Sequence, residues 1–182
     1  METPKPGDEK LSRSSFSLIS TPADALQSAA EFATEAGKKV TILGDDIEGE
    51  AREVAQDHAR LALKSANLPQ LFISGGETTV TLKGTGRGGR NAEYLLSLAI
   101  ALNGHPDIWA IACDTDGIDG SEDNAGAIIR PNTLERAKLQ GLDAEAMLAN
   151  NDAYGFFEVL EDLIITGPTR TNVNDFRAIL IV

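Results

Sequence analysis

Asp114 and Asp116 stand one residue apart at the end of an aliphatic run, residues 108–113. They offer hard oxygen ligands for magnesium, or a base for a hydroxyl proton. Upstream lies Gly84-Thr85-Gly86-Arg87-Gly88-Gly89-Arg90-Asn91. The glycines, Gly86, Gly88 and Gly89 among them, would let an anion approach the free amides that open a helix, and Arg90 adds a forked donor for phosphate or carboxylate. Arg87, toward the outer side of the loop, is expected to matter less. Gly84, Gly86 and Gly89 also satisfy G-x-G-x-x-G, a pattern short enough to arise by chance. Further along, Thr166, Thr169, Thr171, Asn172 and Asn174 supply neutral donors and acceptors for a polar substrate.

Other chemistries are excluded by what is missing. No serine has a histidine and an acid at a recognisable hydrolase spacing, and no cysteine or histidine cluster could build a zinc site. His58 falls on an apolar helical stripe and reads as a core-edge residue. His105 sits in the turn Asn103-Gly104-His105-Pro106 and reads as an exposed loop residue. Cys113 is the single cysteine; it rules out an internal disulfide, fits a reducing cytoplasm, and reads as a small buried residue.

Strands and helices alternate along the chain to position these groups. Residues 1–15 read as a linker or extended arm, and residues 16–182 as one α/β domain. Residues 16–19 read as a first strand, and Thr21-Pro22 opens a helix stopped by Gly37. A strand at 40–43 precedes a helix over about 50–66. Residues 71–73 form a strand, 79–82 alternate like another, and a largely buried helix follows over about 91–102. A strand at 108–113, a short one at 127–129, helices at 133–140, 143–149 and 152–160, and strands at 163–165 and 176–182 complete the pattern. It predicts a layered, Rossmann-like α/β domain with a mostly parallel sheet and flanking helices.

Four of these strands give way to small, hydroxyl or acidic residues: Gly44-Asp45-Asp46, Ser74-Gly75-Gly76-Glu77, Asp114-Thr115-Asp116-Gly117 and Thr166-Gly167-Pro168-Thr169. Parallel α/β sheets bind ligands beyond the carboxyl ends of their strands, so all four segments should converge on one edge.

With 182 residues, 42% hydrophobic, the chain can bury one sizeable core. Its formal charge of −12 argues against nucleic acid and anionic membranes as partners. No apolar run reaches the length of a membrane helix, and the opening residues do not read as a basic-then-apolar signal peptide. A homodimer remains open.

SGGETTVTLKGTGRGGRNAE, DTDGIDG, NNDAYGFFEVL and TGPTRTNVND resemble, in order and spacing, the C-terminal MOFRL domain of class II glycerate kinases. These glycerate 2-kinases are often also labelled hydroxypyruvate reductases. The resemblance covers about residues 16–182 and implies transfer of the ATP γ-phosphoryl to D-glycerate, giving 2-phosphoglycerate with magnesium, in a cleft between two α/β domains. It further implies that the larger N-terminal domain is absent from this chain, which should fold yet turn over no glycerate by itself. Glu77, Arg90, Asn91, Asp114, Asp116, Thr166 and residues 169–174 would face the cleft. Ala92 stands where the family motif has glutamine, and Arg170 where it has glycine.

Two other readings stay open. A nicotinamide-dependent hydroxypyruvate reductase is supported by the glycine pattern, with Asp114 in the place of a ribose-binding acid. A non-catalytic binding or regulatory module fits a detached half of a two-domain enzyme.

Overall fold

A computed structural model describes residues 5, 7–9, 12, 15 and 17–182. Most of the expected arm, and Phe16 of the expected first strand, lie outside these residues. Residues 17–20 form no strand, and Leu18 and Ile19 are exposed.

Regular structure begins at α1 (Pro22–Glu35), where Thr21 and Asp24 cap each other: the Asp24 amide donates to the Thr21 hydroxyl and the Thr21 amide to the Asp24 carboxylate. Then follow β1 (Val40–Gly44), β2 (Gly49–Glu50), α2 (Ala51–Lys64), β3 (Gln70–Ser74), β4 (Thr78–Thr79) and α3 (Arg90–Leu102). The second half comprises β5 (Ile108–Asp114), β6 (Gly126–Ile129), α4 (Thr133–Leu139), α5 (Ala144–Ala149), α6 (Ala153–Val159), β7 (Leu163–Ile164) and β8 (Asp175–Ile181). Of the alternating residues 79–82 only Thr79 lies in a strand, β4, which pairs with β2 in a small separate sheet.

The main sheet has the order β1-β3-β8-β5-β6-β7. The strands whose ends were expected to converge, β1, β3, β5 and β7, all run one way, four of the six. Strands β8 and β6 run the other way and are interleaved with them, so only β1 and β3 are parallel neighbours. The expected layered α/β class with flanking helices holds, and most strands of the sheet share one direction.

Helix α3 is the centre of the core. Every residue from Asn91 to Ala99 is buried, and it packs against α2 and against Ile108, Ala110 and Ala112 of β5. Leu95, Leu96 and Leu98 are completely inaccessible, each worth roughly 1.5–3 kcal/mol in burial. On the opposite face of the sheet α1 covers β1 and β3, setting Leu26 and Ala30 on Ile73. No helix among the described residues is long and apolar enough to cross a membrane.

Candidate functional site

The polar strand ends meet at one edge of the sheet. The Gly75 amide donates to the Gly44 carbonyl (2.8 Å), joining the ends of β1 and β3, and the Asp175 amide donates to the Gly76 carbonyl (3.1 Å). The Thr169 amide donates to the Asp116 carbonyl (2.9 Å), tying the segment after β7 to the one after β5. Gly117 fits because a Cβ there would strike the Gly167 carbonyl, and its φ of +95° suits glycine.

Arg90, the first residue of α3, lies in the middle. Its Nε donates to both oxygens of Asp175 (3.0 and 3.1 Å) and its Nη2 to Asp114 Oδ2 (2.5 Å). Nη1 forms an ion pair with Glu77 Oε1 at 3.7 Å, too long for a hydrogen bond, and has no hydrogen-bond acceptor among the described residues. Burial works against the Arg90 charge, but Asp175 and Asp114 outweigh it and hold its pKa above the usual range. Asn91 is fully buried, donating through Nδ2 to Asp175 Oδ1 (2.8 Å) and Asp119 Oδ1 (3.3 Å). It supports the site from below.

Asp114 and Asp116 divide into different roles. Asp114 is buried and fully engaged, accepting from Arg90 on Oδ2 and from the Asp116 amide on Oδ1 (3.0 Å). Burial pushes its carboxyl up, while the Asp116 amide and Arg90 pull it down. Asp116 is half-buried; its Oδ1 accepts from the Ile118 amide (2.8 Å), and its Oδ2 accepts no hydrogen bond among the described residues. No group of three acidic, histidine or cysteine side chains among the described residues could hold a metal ion. Of the expected magnesium pair, Asp114 has both carboxylate oxygens engaged within the protein, by Arg90 and by the Asp116 amide, and Asp116 keeps its Oδ2 without a hydrogen-bond partner among the described residues.

Residues 166–174 line the outer rim. The Thr169 hydroxyl donates to the Thr115 carbonyl (2.5 Å), the Thr171 amide donates back to Thr169 Oγ1 (3.4 Å), and Asn172 Oδ1 accepts from the Asn174 amide (2.9 Å). The Thr166 hydroxyl donates to the Gly167 carbonyl (2.9 Å). Thr166, Thr169, Thr171 and Asn172 are exposed, as is Arg170. Glu77 is also exposed.

The glycine loop departs from expectation. The amides of Lys83 and Gly84 donate to Asn151 Oδ1 (2.8 and 2.9 Å), Thr85 to Asn150 Oδ1, Gly86 to the Asn150 carbonyl and Arg87 to Asp152 Oδ1. A Cβ at Gly84 or Gly86 would collide with residues 150–152, and one at Gly89 with Asp119. Gly86 and Gly89 thus serve close backbone packing, as does Gly88, whose φ is +151°. Nor is the start of α3 open to a ligand. Asp119 is fully buried and accepts from the Asn91 and Ala92 amides (2.9 and 2.8 Å), so the anion at this helix end belongs to the protein itself. Burial pushes its carboxyl up to about 6 against those two amides. Arg87 lies outside, bonded to Glu158 (2.8 Å) and stacked on Tyr154.

Sequence reasoning missed Asp119 and Asp175. Asp119 lies in the same D-T-D-G-I-D run as Asp114 and Asp116, and Asp175 opens the last strand, so an acid bordering an apolar run was the available signal.

These features define a three-layer α/β domain with a polar site at the strand ends, built on an arginine held by two buried carboxylates. The chain belongs to the MOFRL family, whose model matches residues 70–175. It is 50% identical over 188 residues to a protein of Agrobacterium vitis provisionally named hydroxypyruvate reductase, covering 99% of this chain and 42% of that one. It is 40% identical over 187 residues to the D-glycerate 2-kinase of Thermotoga maritima, covering 100% of this chain and 44% of the relative. The crystal structure of a glycerate kinase from Thermotoga maritima superposes with a TM-score of 0.89 at 38% identity, covering 92% of this chain and 42% of that one. The chain thus spans less than half the length of these relatives.

Proposed function

We propose that this chain forms one wall of a D-glycerate 2-kinase site. The observation that carries this reading is that, at one sheet edge, Arg90 Nη1 and Asp116 Oδ2 both lack a hydrogen-bond partner among the described residues. Arg90 would bind the glycerate carboxylate or a phosphate, with residues 166–174 closing around the substrate. Asp116 would take the proton of the 2-hydroxyl as its oxygen bonds to the γ-phosphorus and the bond to ADP breaks. The remainder of the relatives' length would supply the opposite wall and most contacts to ATP. Asp116 Oδ2 would be the oxygen this chain's wall offers to a magnesium ion carried in with the phosphates. The reductase reading gains nothing from the geometry: the loop amides are taken, Asp114 is bound to Arg90, and His58 is buried against Tyr94.

Amide NMR titrations of the chain with D-glycerate, ATP and NADH test this. Glycerate and ATP should perturb residues 114–118 and 166–174 weakly, with no 2-phosphoglycerate formed by the chain alone. Perturbation confined to residues 84–89, or a response to NADH only, would sink the kinase reading. Robust turnover by the chain alone would remove the need for a second wall.

A further inference from the structure

Arg177 lies on the α3 side of β8, beneath the site, with its side chain 1% exposed. Register partners Ser74 on β3 and Ala112 on β5 place it in mid-sheet. Nη1 donates to the Gly75 carbonyl (3.1 Å), and Nη2 to Asp175 Oδ2 (2.6 Å) and the Thr78 hydroxyl (3.4 Å). The Tyr94 ring centre lies 5.5 Å from the guanidinium carbon, while Nε finds no acceptor.

A buried ion pair is a poor source of stability, because well-packed apolar residues do as well once desolvation is counted. An unsatisfied Nε makes this one poorer still. What the acceptors share is position. Gly75 and Thr78 flank Gly76-Glu77, and Asp175 holds Arg90, so a single buried fork reaches both supports of the Arg90 and Glu77 pair. Lysine could not replace it, since one ammonium cannot span acceptors on two segments in fixed directions.

We propose that Arg177 is a positioning residue: by holding Asp175 Oδ2 and the 75–78 turn, it fixes the plane of the Asp175 carboxylate and so the direction in which Arg90 presents Nη1. It touches no substrate. Its value for catalysis rests on the kinase reading, whereas its effect on Arg90 does not.

Proton–nitrogen spectra of the arginine Nε–H groups in the 182-residue chain, without ligand, provide the test. In the wild type the Arg90 Nε–H should give a shifted, slowly exchanging signal. Arg177→Lys should move that signal and speed its exchange roughly tenfold, the equivalent of one charge-assisted hydrogen bond. Tyr94→Phe keeps the ring and should leave the Arg90 signal in place. An equal shift in Tyr94→Phe would mean general core disturbance and overturn the proposal. Should the lysine variant fail to fold, Thr78→Val removes one acceptor of the same fork and should move the Arg90 signal the same way by less. An unmoved signal in Arg177→Lys, or in Thr78→Val in its stead, overturns it too. Loss of the glycerate response in Arg90→Lys is a separate measurement, so the two readings fail separately.

Discussion

Replacing His58 by glutamine should turn the pH dependence of stability, because His58 is held neutral in the native core. Its Nδ1 meets the Tyr94 hydroxyl at 2.9 Å, and burial, then the charge of Arg177, lower its pKa from 6.5 to about 4. Below pH 6.5 the unfolded chain takes up a proton that the native state refuses, so stability is lost as pH falls toward about 4. At about 1.4 kcal/mol per pH unit, the loss is about 3 kcal/mol. Glutamine cannot titrate, but it forfeits ring packing, at a cost of about 1–2 kcal/mol at neutral pH. The variant should therefore be less stable than wild type near pH 7, equal to it near about pH 5, and more stable below. Asp119 acts in the opposite sense: burial raises its carboxyl to about 6, so its contribution is lost as pH rises from 3.8 through that value. The wild-type profile alone is consequently shallow. Urea unfolding of both proteins between about pH 4 and about pH 7, followed by circular dichroism, isolates the His58 contribution as their difference. Parallel midpoints across that range would show that His58 is not held neutral, and the reasoning would fail.

Four further outcomes follow from the contacts. Gly89→Ala drives a Cβ into the Asp119 backbone and carboxyl and should cost more than about 3 kcal/mol in urea unfolding. Asn151→Ala strands the Lys83 and Gly84 amides and should cost about 1–3 kcal/mol, with faster hydrogen exchange at both positions. Asp162→Asn leaves Arg130 and Arg136 without their shared buried carboxylate; both arginines reach water, so calorimetry should show about 1–3 kcal/mol rather than the larger cost of a sealed pair. Arg90→Lys preserves the charge but not the bonds from Nε to Asp175 and from Nη2 to Asp114, and should abolish the NMR response to D-glycerate.

Helices were legible because their apolar stripes recur at helical spacing: the 50–66 stripe became α2 with Ala51, Ala55, His58 and Ala62 buried. Strand order was not. Residues 176–182 are apolar enough to be a strand anywhere, and periodicity carries no information about insertion between β3 and β5. Residues 79–82 alternate as a strand should, but beyond Thr79 the chain is held by Glu50 and Asn151, which lie far away in sequence. The glycine loop was ambiguous for a physical reason. A missing Cβ serves a ligand's approach and a backbone's approach equally well, and only Asn150, Asn151 and Asp152, some 65 positions on, decide between them. Asp114 and Asp116 looked alike because spacing does not reveal that one is buried against Arg90.

The balance of charge at the site bears on what must face it. Glu77, Asp114, Asp116, Asp119 and Asp175 set five carboxylates at this edge against the guanidiniums of Arg90, Arg170 and Arg177, on a chain whose formal charge is −12. A triphosphate approaching this wall alone meets a net negative field, and Arg90 has only its Nη1 side to offer. On the proposed kinase reading, the opposite wall would have to bring positive charge. If so, salt has an unusual sign for the isolated chain. Screening shortens from about 30 Å at 0.01 M salt to about 8 Å at 0.15 M, and it weakens long-range repulsion more than a close contact to Arg90. The affinity of the isolated chain for ATP, followed by NMR, should hold or rise over that interval. A steep fall instead would reveal a cationic phosphate site within this wall, and the need for a charged partner would disappear.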